Sequence, residues 1–337
     1  MRNAMMKLRA ASVAAAAMMT ISAVAGTTGS MLGTALDQSV ITAFAAESSV
    51  KVLTSAGFGE GMYATWSSVS GASGYNVYVD GTKIDAMLIR QYSGYMRADA
   101  VGLKAGSHTM KIVPVINGSE DNSKAAEAKA NAYAHDRSGF GFVNGNSNGA
   151  YNADGTLKSN TIVVYVTNGN KDSVTASIDA TGKGAETLTG VQNIITGYKK
   201  GKESRPLNIR FIGNITDPSG LTKGDLMVDT VTAGCTIEGI GNDATLNGFG
   251  IILKNCSNVE IRNLGFMNCN SNEGDDCGLQ QNNNHIWVHN CDFFYGDAGS
   301  DADQAKGDGA LDTKTSTYIT HSYNHFWDNG KCNLQGM

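Results

Sequence analysis

Two aspartates four positions apart, Asp308 and Asp312, stand in GDGALDTK, and a strand-like run after them delivers a lysine, Lys331, in NGKC. Upstream, NEGDDCG adds three more acids, Glu273, Asp275 and Asp276. Any one of these carboxylates alone is an ordinary solvated loop residue. Their recurrence on successive stretches of similar sequence is different, because chain passes stacked about 4.8 Å apart bring such carboxylates close enough to share one cation. A hard divalent ion takes several oxygens at about 2.4 Å, and an irregular carboxylate set suits Ca²⁺ better than Mg²⁺, which demands near-octahedral geometry. A lysine projecting over the same face supplies a further positive charge for an anionic substrate. The chemistry these residues predict is calcium-assisted handling of a carboxylate-bearing molecule.

Such a site needs elements that repeat. The segments LNIRFIGNI, CTIEGIG, NVEIRNLGF, HIWVHNCDFF and YITHSYNHFW are short and rich in β-branched residues. They recur every 25 to 33 residues, and three of them superpose on their closing phenylalanines, Phe266, Phe293 and Phe326. One strand-only unit per repeat, stacked on its neighbours, predicts a parallel β-helix whose loops leave from the same few corners. Ahead of the strands, TLTGVQNIITGYKKG predicts an amphipathic helix capped by Thr187, with Leu188, Val191, Ile194, Ile195 and Tyr198 on one stripe that covers the end of the stack. The 41 glycines, the 3 prolines and the many Asn, Thr, Val and Ile residues favour short strands and tight turns throughout.

From about Ser138 to the end the chain resembles a family 1 polysaccharide lyase, the pectate lyase β-helix. The resemblance rests on NEGDDCGLQQNNNHIWVHNCDFFYG, KGDGALDTK and STYITHSYNHFWDNGK. It implies a right-handed parallel β-helix acting as a monomer on polygalacturonate. It implies Ca²⁺ held by Asp276, with Asp275 or Glu273 as a second member, and by Asp308 and Asp312, and it gives Lys331 the role of neutralising a substrate uronate. The reaction would be β-elimination across the 1,4 linkage: the C5 proton leaves and the C4 oxygen is expelled once the neighbouring carboxylate is neutralised. In that family the base is an arginine beyond the lysine, which works best under alkaline conditions. No residue after Lys331 matches it, so the expectation is a β-helix incomplete at its C-terminal end, weakly active or inactive as it stands. Many relatives carry an aspartate where WVHN places His289, which we read as a packed, hydrogen-bonded histidine. Two alternatives share the architecture. One is a polygalacturonase-type hydrolase, favoured by GDD at Gly274 to Asp276 but lacking that family's other motifs, and the other is a non-catalytic pectate-binding protein.

Residues 1–45 have the layout of a secretory signal, with Arg2, Lys7 and Arg9 before an apolar stretch from Ala10 to Ala25. Cleavage after Ala45 is preferred to cleavage after Ala25. The apolar run is shorter than the roughly 20 residues of a membrane span, so the protein is expected outside the cell without stable membrane insertion. Residues 48–134 resemble a fibronectin type III module, an N-terminal β-sandwich in which Trp66 fills the core and GYNVYVDG alternates in and out. Residues 138–337 then form the lyase-like domain of an all-β protein. The six cysteines include no C-x-x-C pair, which argues against zinc, and disulfides and buried free thiols stay equally open. A net charge of −5 with no basic block excludes a nucleic-acid partner.

Overall fold

The computed structural model describes residues 46–145, 148–294, 309–327 and 329–336. The signal sequence expected at residues 1–45 and the aspartate at 308 lie outside the described residues. The chain is mostly β and divides into two compact units. Of the described residues, one unit comprises those up to Ala56 with Tyr63–Ala98 and His108–Ala130; the other comprises Gly57–Met62, Asp99–Ser107 and those from Asn131 on.

In the first unit, Ala72–Val79 pairs antiparallel with Gly106–Ile116. Alternation along it follows the sequence pattern: Val77 and Val79 are buried, while Asn76 and Tyr78 both donate to the Glu120 carboxylate on the opposite face, at 2.6 and 2.5 Å. Trp66 is fully buried edge-on to Tyr75. The tyrosines Tyr92 and Tyr95 stack on each other, with the Arg90 guanidinium over Tyr92.

The second unit is a set of parallel ladders. Ile162–Val166, Leu207–Ile215, Cys235–Asn247, Ser257–Arg262, Asn284–His289 and Thr317–Ser322 pair in sequence order, each with the next. A separate parallel sheet runs Leu226–Asp229, Ile251–Lys254, Cys277–Gln280, Leu311–Thr313. Between them Gly265–Met267, Asp292–Phe293 and His325–Phe326 continue the first sheet on a third line. Equivalent residues of successive passes fall in register, so like stacks on like: the rings of Phe266, Phe293 and Phe326 form a column with centroids 4.9 and 5.0 Å apart. Inward positions such as Ile209, Ile237, Ile261 and Val288 close one continuous apolar core.

Recurrent corners explain the asparagine content. Asn258, His285 and Tyr318 occupy the same corner on successive passes with φ of 56°, 53° and 56°, and Asn263, Asn290 and Tyr323 occupy another with φ of 53°, 52° and 55°. The left-handed conformation favours Asn because its short polar side chain bonds locally. Where His285 and Tyr318 replace it, their rings stack at 4.7 Å.

The expected helix is shorter than its pattern. Glu186–Thr189 is a strand paired with Thr175–Ile178, and the helix spans only Val191–Thr196 after Gly190. Thr187 therefore caps nothing, and Leu188 reaches the core from the strand while Val191, Ile194, Ile195 and Tyr198 reach it from the helix and its end. The stripe was read correctly but its first member belongs to a different element. All six cysteines are free thiols, five buried and Cys332 exposed. No described helix is long and apolar enough to cross a membrane.

Candidate functional site

The sheet formed by Leu226–Asp229, Ile251–Lys254, Cys277–Gln280 and Leu311–Thr313 turns Leu226, Val228, Ile251, Leu253, Cys277, Leu279 and Leu311 into the core. Side chains alternate across a strand, so Asp229, Ile252, Lys254, Gly278, Gln280 and Asp312 line the other face. The loop carrying Glu273 to Asp276 folds tightly onto this sheet. Glycines make that approach possible: a Cβ on Gly250 would lie 2.0 Å from the Asp275 carbonyl oxygen, and one on Gly278 would lie 2.6 Å from the Asp275 carboxylate. Likewise, a Cβ on Gly309 would strike the Asp312 carboxylate at 2.3 Å.

Asp276 is fully buried. Its backbone is tied between passes, its N–H donating to Gly309 O at 2.9 Å and its carbonyl accepting from Ile251 N at 3.0 Å. Among the described residues, neither carboxylate oxygen has a hydrogen-bond partner. Burial raises its pKa well above the usual carboxylate range, Lys331 draws it back, and Asp275 and Asp225 push it further up. Lys331 is 7% exposed and donates from Nζ to Gly274 O at 2.7 Å, so the predicted acid and the predicted lysine meet beside one loop.

The remaining acids are arranged differently. Asp275 accepts the Gly309 N–H at 3.0 Å, and Asp312 accepts the Leu334 N–H at 2.9 Å. Lys314 stands between them, 3.8 Å from Asp275 Oδ2 and 3.4 Å from Asp312 Oδ2. Glu273 sits to the side, with Lys223 and Lys254 at 3.8 and 3.7 Å and Gln280 donating to it at 3.3 Å. Among the described residues no three acidic, thiol or imidazole groups converge into a ready metal cage. What does fit a hard cation is Asp276: a buried carboxylate left without donors carries a large desolvation cost that a positive ion relieves.

Lys314 was missed by sequence reasoning, although its position two residues past Asp312 places it on the same face by simple alternation. Asp225, whose Oδ1 accepts the Gly250 N–H at 2.8 Å, enters from an earlier pass, and no local signal points to it. His289 is fully buried. Its Nε2 lies 3.0 Å from Glu260 and its Nδ1 2.8 Å from Asn290, and burial lowers its pKa to about 3. A cleft of about 380 Å³ lies at the last strands, among Leu311, His321, Phe326, Asn333 and Gln335.

Comparison with known proteins bears on this region. A pectate lyase of Aspergillus niger is 39% identical over 113 residues, 32% of this chain and 33% of that protein. Pectate lyase A of Emericella nidulans is 39% identical over 109 residues, covering 32% of each. The pectate lyase of Bacillus sp. N165, solved in complex with trigalacturonate, aligns over 60% of this chain and 56% of its own at 19% identity and a TM-score of 0.40, a likeness too distant to carry weight. The matched region spans about a third of the length of these curated relatives. Residues 217–337, which hold every acid and lysine of the site, match the family model described as pectate lyase.

Proposed function

We propose that this protein is a secreted pectate lyase that binds polygalacturonate through Ca²⁺ and cleaves it by β-elimination. In this reading the stacked ladders are a right-handed parallel β-helix, and the first unit is a fibronectin type III-like β-sandwich serving as an accessory. The observation that carries the proposal is Asp276, a fully buried carboxylate whose oxygens have no hydrogen-bond partner among the described residues, placed next to Lys331 within the stretch that matches the pectate lyase family.

Asp276, Asp308 and Asp312 would hold the ion, with Asp275 alongside. Glu273, already matched by two lysines, would contribute least. When bound, Ca²⁺ neutralises the uronate carboxylate and thereby acidifies the adjacent C5 proton. Lys331, fixed by its bond to Gly274 O, presents its ammonium to the same carboxylate and steadies the charge that develops as the proton leaves. Lys314 would give up its contacts to Asp275 and Asp312 and turn toward substrate.

The arginines from Asn131 onward do not supply the base. Arg137 pairs with Glu60, Arg205 with Glu203, Arg210 with Glu238, and Arg262 with Glu60, Glu238 and Glu260. In this reading these carboxylate-paired arginines serve the fold, and the acids and lysines of the site bind and polarise the substrate.

The test is to incubate the chain with polygalacturonate, with Ca²⁺ or with a chelator, measuring polymer binding and the ultraviolet absorbance of unsaturated uronides. Calcium-dependent binding is expected, and any cleavage should produce the absorbing product. New reducing ends without absorbance, formed equally well in chelator, would replace the lyase reading with acid-pair hydrolysis.

A further inference from the structure

Three donors, Lys254 and Gln280 on the outer face of the site's sheet and Lys223 in the turn before it, converge on one carboxylate. Lys223 Nζ and Lys254 Nζ lie 3.8 and 3.7 Å from Glu273 Oε1, and Gln280 Nε2 donates to Glu273 Oε2 at 3.3 Å. The Lys254 side chain is only 21% exposed and that of Glu273 24%, so the cluster is partly sheltered and its lysine stem already ordered, yet open to solvent. The ion pairs are long, and pairs of this length near water contribute little stability, so another carboxylate can replace Glu273 at small cost.

Its place in the register connects it to the site. Lys254 stands opposite Gln280 on the next pass, and Leu279 stands opposite Thr313, which puts Gln280 level with Lys314. The Gln280 amide also reaches Asp275 Oδ2 at 3.4 Å, joining the two clusters. Successive passes are about 4.8 Å apart. A 1,4-linked uronate polymer carries a carboxylate on every residue, so a chain crossing the strands brings further carboxylates past the one at Asp276.

We infer that Lys223, Lys254 and Gln280 form a further uronate subsite, and that Glu273 occupies it as an internal stand-in until the substrate carboxylate displaces it. The inference rests on the pectate-binding reading and deepens it: it makes these residues the determinants of how long an oligomer the protein grips. It also gives Glu273 the role of competitor.

The experiment is isothermal titration of the full chain with galacturonate oligomers from the dimer to the hexamer in Ca²⁺, comparing parent, Lys254→Ala and Glu273→Gln. In the parent, affinity should climb as the oligomer lengthens. Lys254→Ala should lower affinity for the longest oligomers by about three- to fivefold, as expected for one exposed ion pair, and leave the shortest unchanged. Glu273→Gln keeps the side-chain shape but frees the lysines, and should raise affinity for the long oligomers by a similar factor with a steeper salt dependence. If the parent binds short oligomers with Ca²⁺ but Lys254→Ala changes nothing or affects all lengths equally, or if Glu273→Gln weakens binding, the subsite is refuted and the parent reading stands. If the parent binds no oligomer at any length, both fall.

Discussion

Replacing Asp276 by asparagine should separate stability from function. In the metal-free protein both Asp276 oxygens are buried without a donor among the described residues, and leaving a buried polar group unsatisfied costs about 1–3 kcal/mol, more when it is charged. Asparagine is nearly isosteric, removes the ionisable group, and offers an amide to a neighbourhood that holds Asp275, Asp225 and the Gly274 carbonyl. In chelator, Asp276→Asn should therefore be more stable than the parent by about 1–3 kcal/mol. For a unit of this size that is a melting-temperature rise of roughly 2–12 °C. Calcium should reverse the order. A ligand at a hundred times its dissociation constant stabilises by about 2.7 kcal/mol, and the parent should gain that amount while the variant, short of a central ligand, gains little. The assay is differential scanning calorimetry of both proteins across a calcium titration, and the expected signature is a crossing of the two curves. A variant that melts below the parent in chelator would show that the carboxylate is satisfied in the folded protein. Equal calcium shifts in both proteins would remove Asp276 from the metal site.

Phe293 is the middle ring of the aromatic column, stacked on both sides, and Phe293→Ala should cost about 3–5 kcal/mol in urea denaturation; a loss below about 1 kcal/mol would mean the column is not a structural spine. A thiol reagent should label Cys332 at once and the five buried cysteines only on unfolding, and a second prompt thiol would contradict the packing. Acid should destabilise the second unit from about pH 6.5 downward: His289 and half-buried His135 are held neutral by burial, with pKa values lowered to about 3, so the unfolded chain takes up protons that the folded chain refuses. Glu260, whose pKa burial raises, offsets part of this by protonating earlier in the folded state. Stability contributed by the neutral imidazoles is thus present above pH 6.5 and lost below it, and His289→Gln should reduce the slope of stability against pH by about 1.4 kcal/mol per unit. An unchanged slope would show that His289 titrates normally.

How much of this was legible in the linear chain depends on whether the information is periodic. The column of Phe266, Phe293 and Phe326 was readable because in-register parallel stacking puts equivalent residues on top of one another, and the sequence records that as a simple repeat. That Asp276 and Lys331 belong together was suggested by short, local motifs, and the structure brings the two side by side at the Gly274 carbonyl. The helix boundary was not readable, because an apolar stripe does not distinguish a residue reaching the core from a helix from one reaching it from a strand; Leu188 does the latter. The partners of the charges were not readable either. Asp275 and Asp312 share Lys314, Glu273 is claimed by Lys223 and Lys254, and Asp225 arrives from an earlier pass. Sequence alone determined which side chains each pass carries and at what interval they return. Only the tertiary structure decided which carboxylates are neutralised and which is left bare, because that depends on how loops fold back onto the sheet over glycines such as Gly250 and Gly278, whose missing side chains open the space.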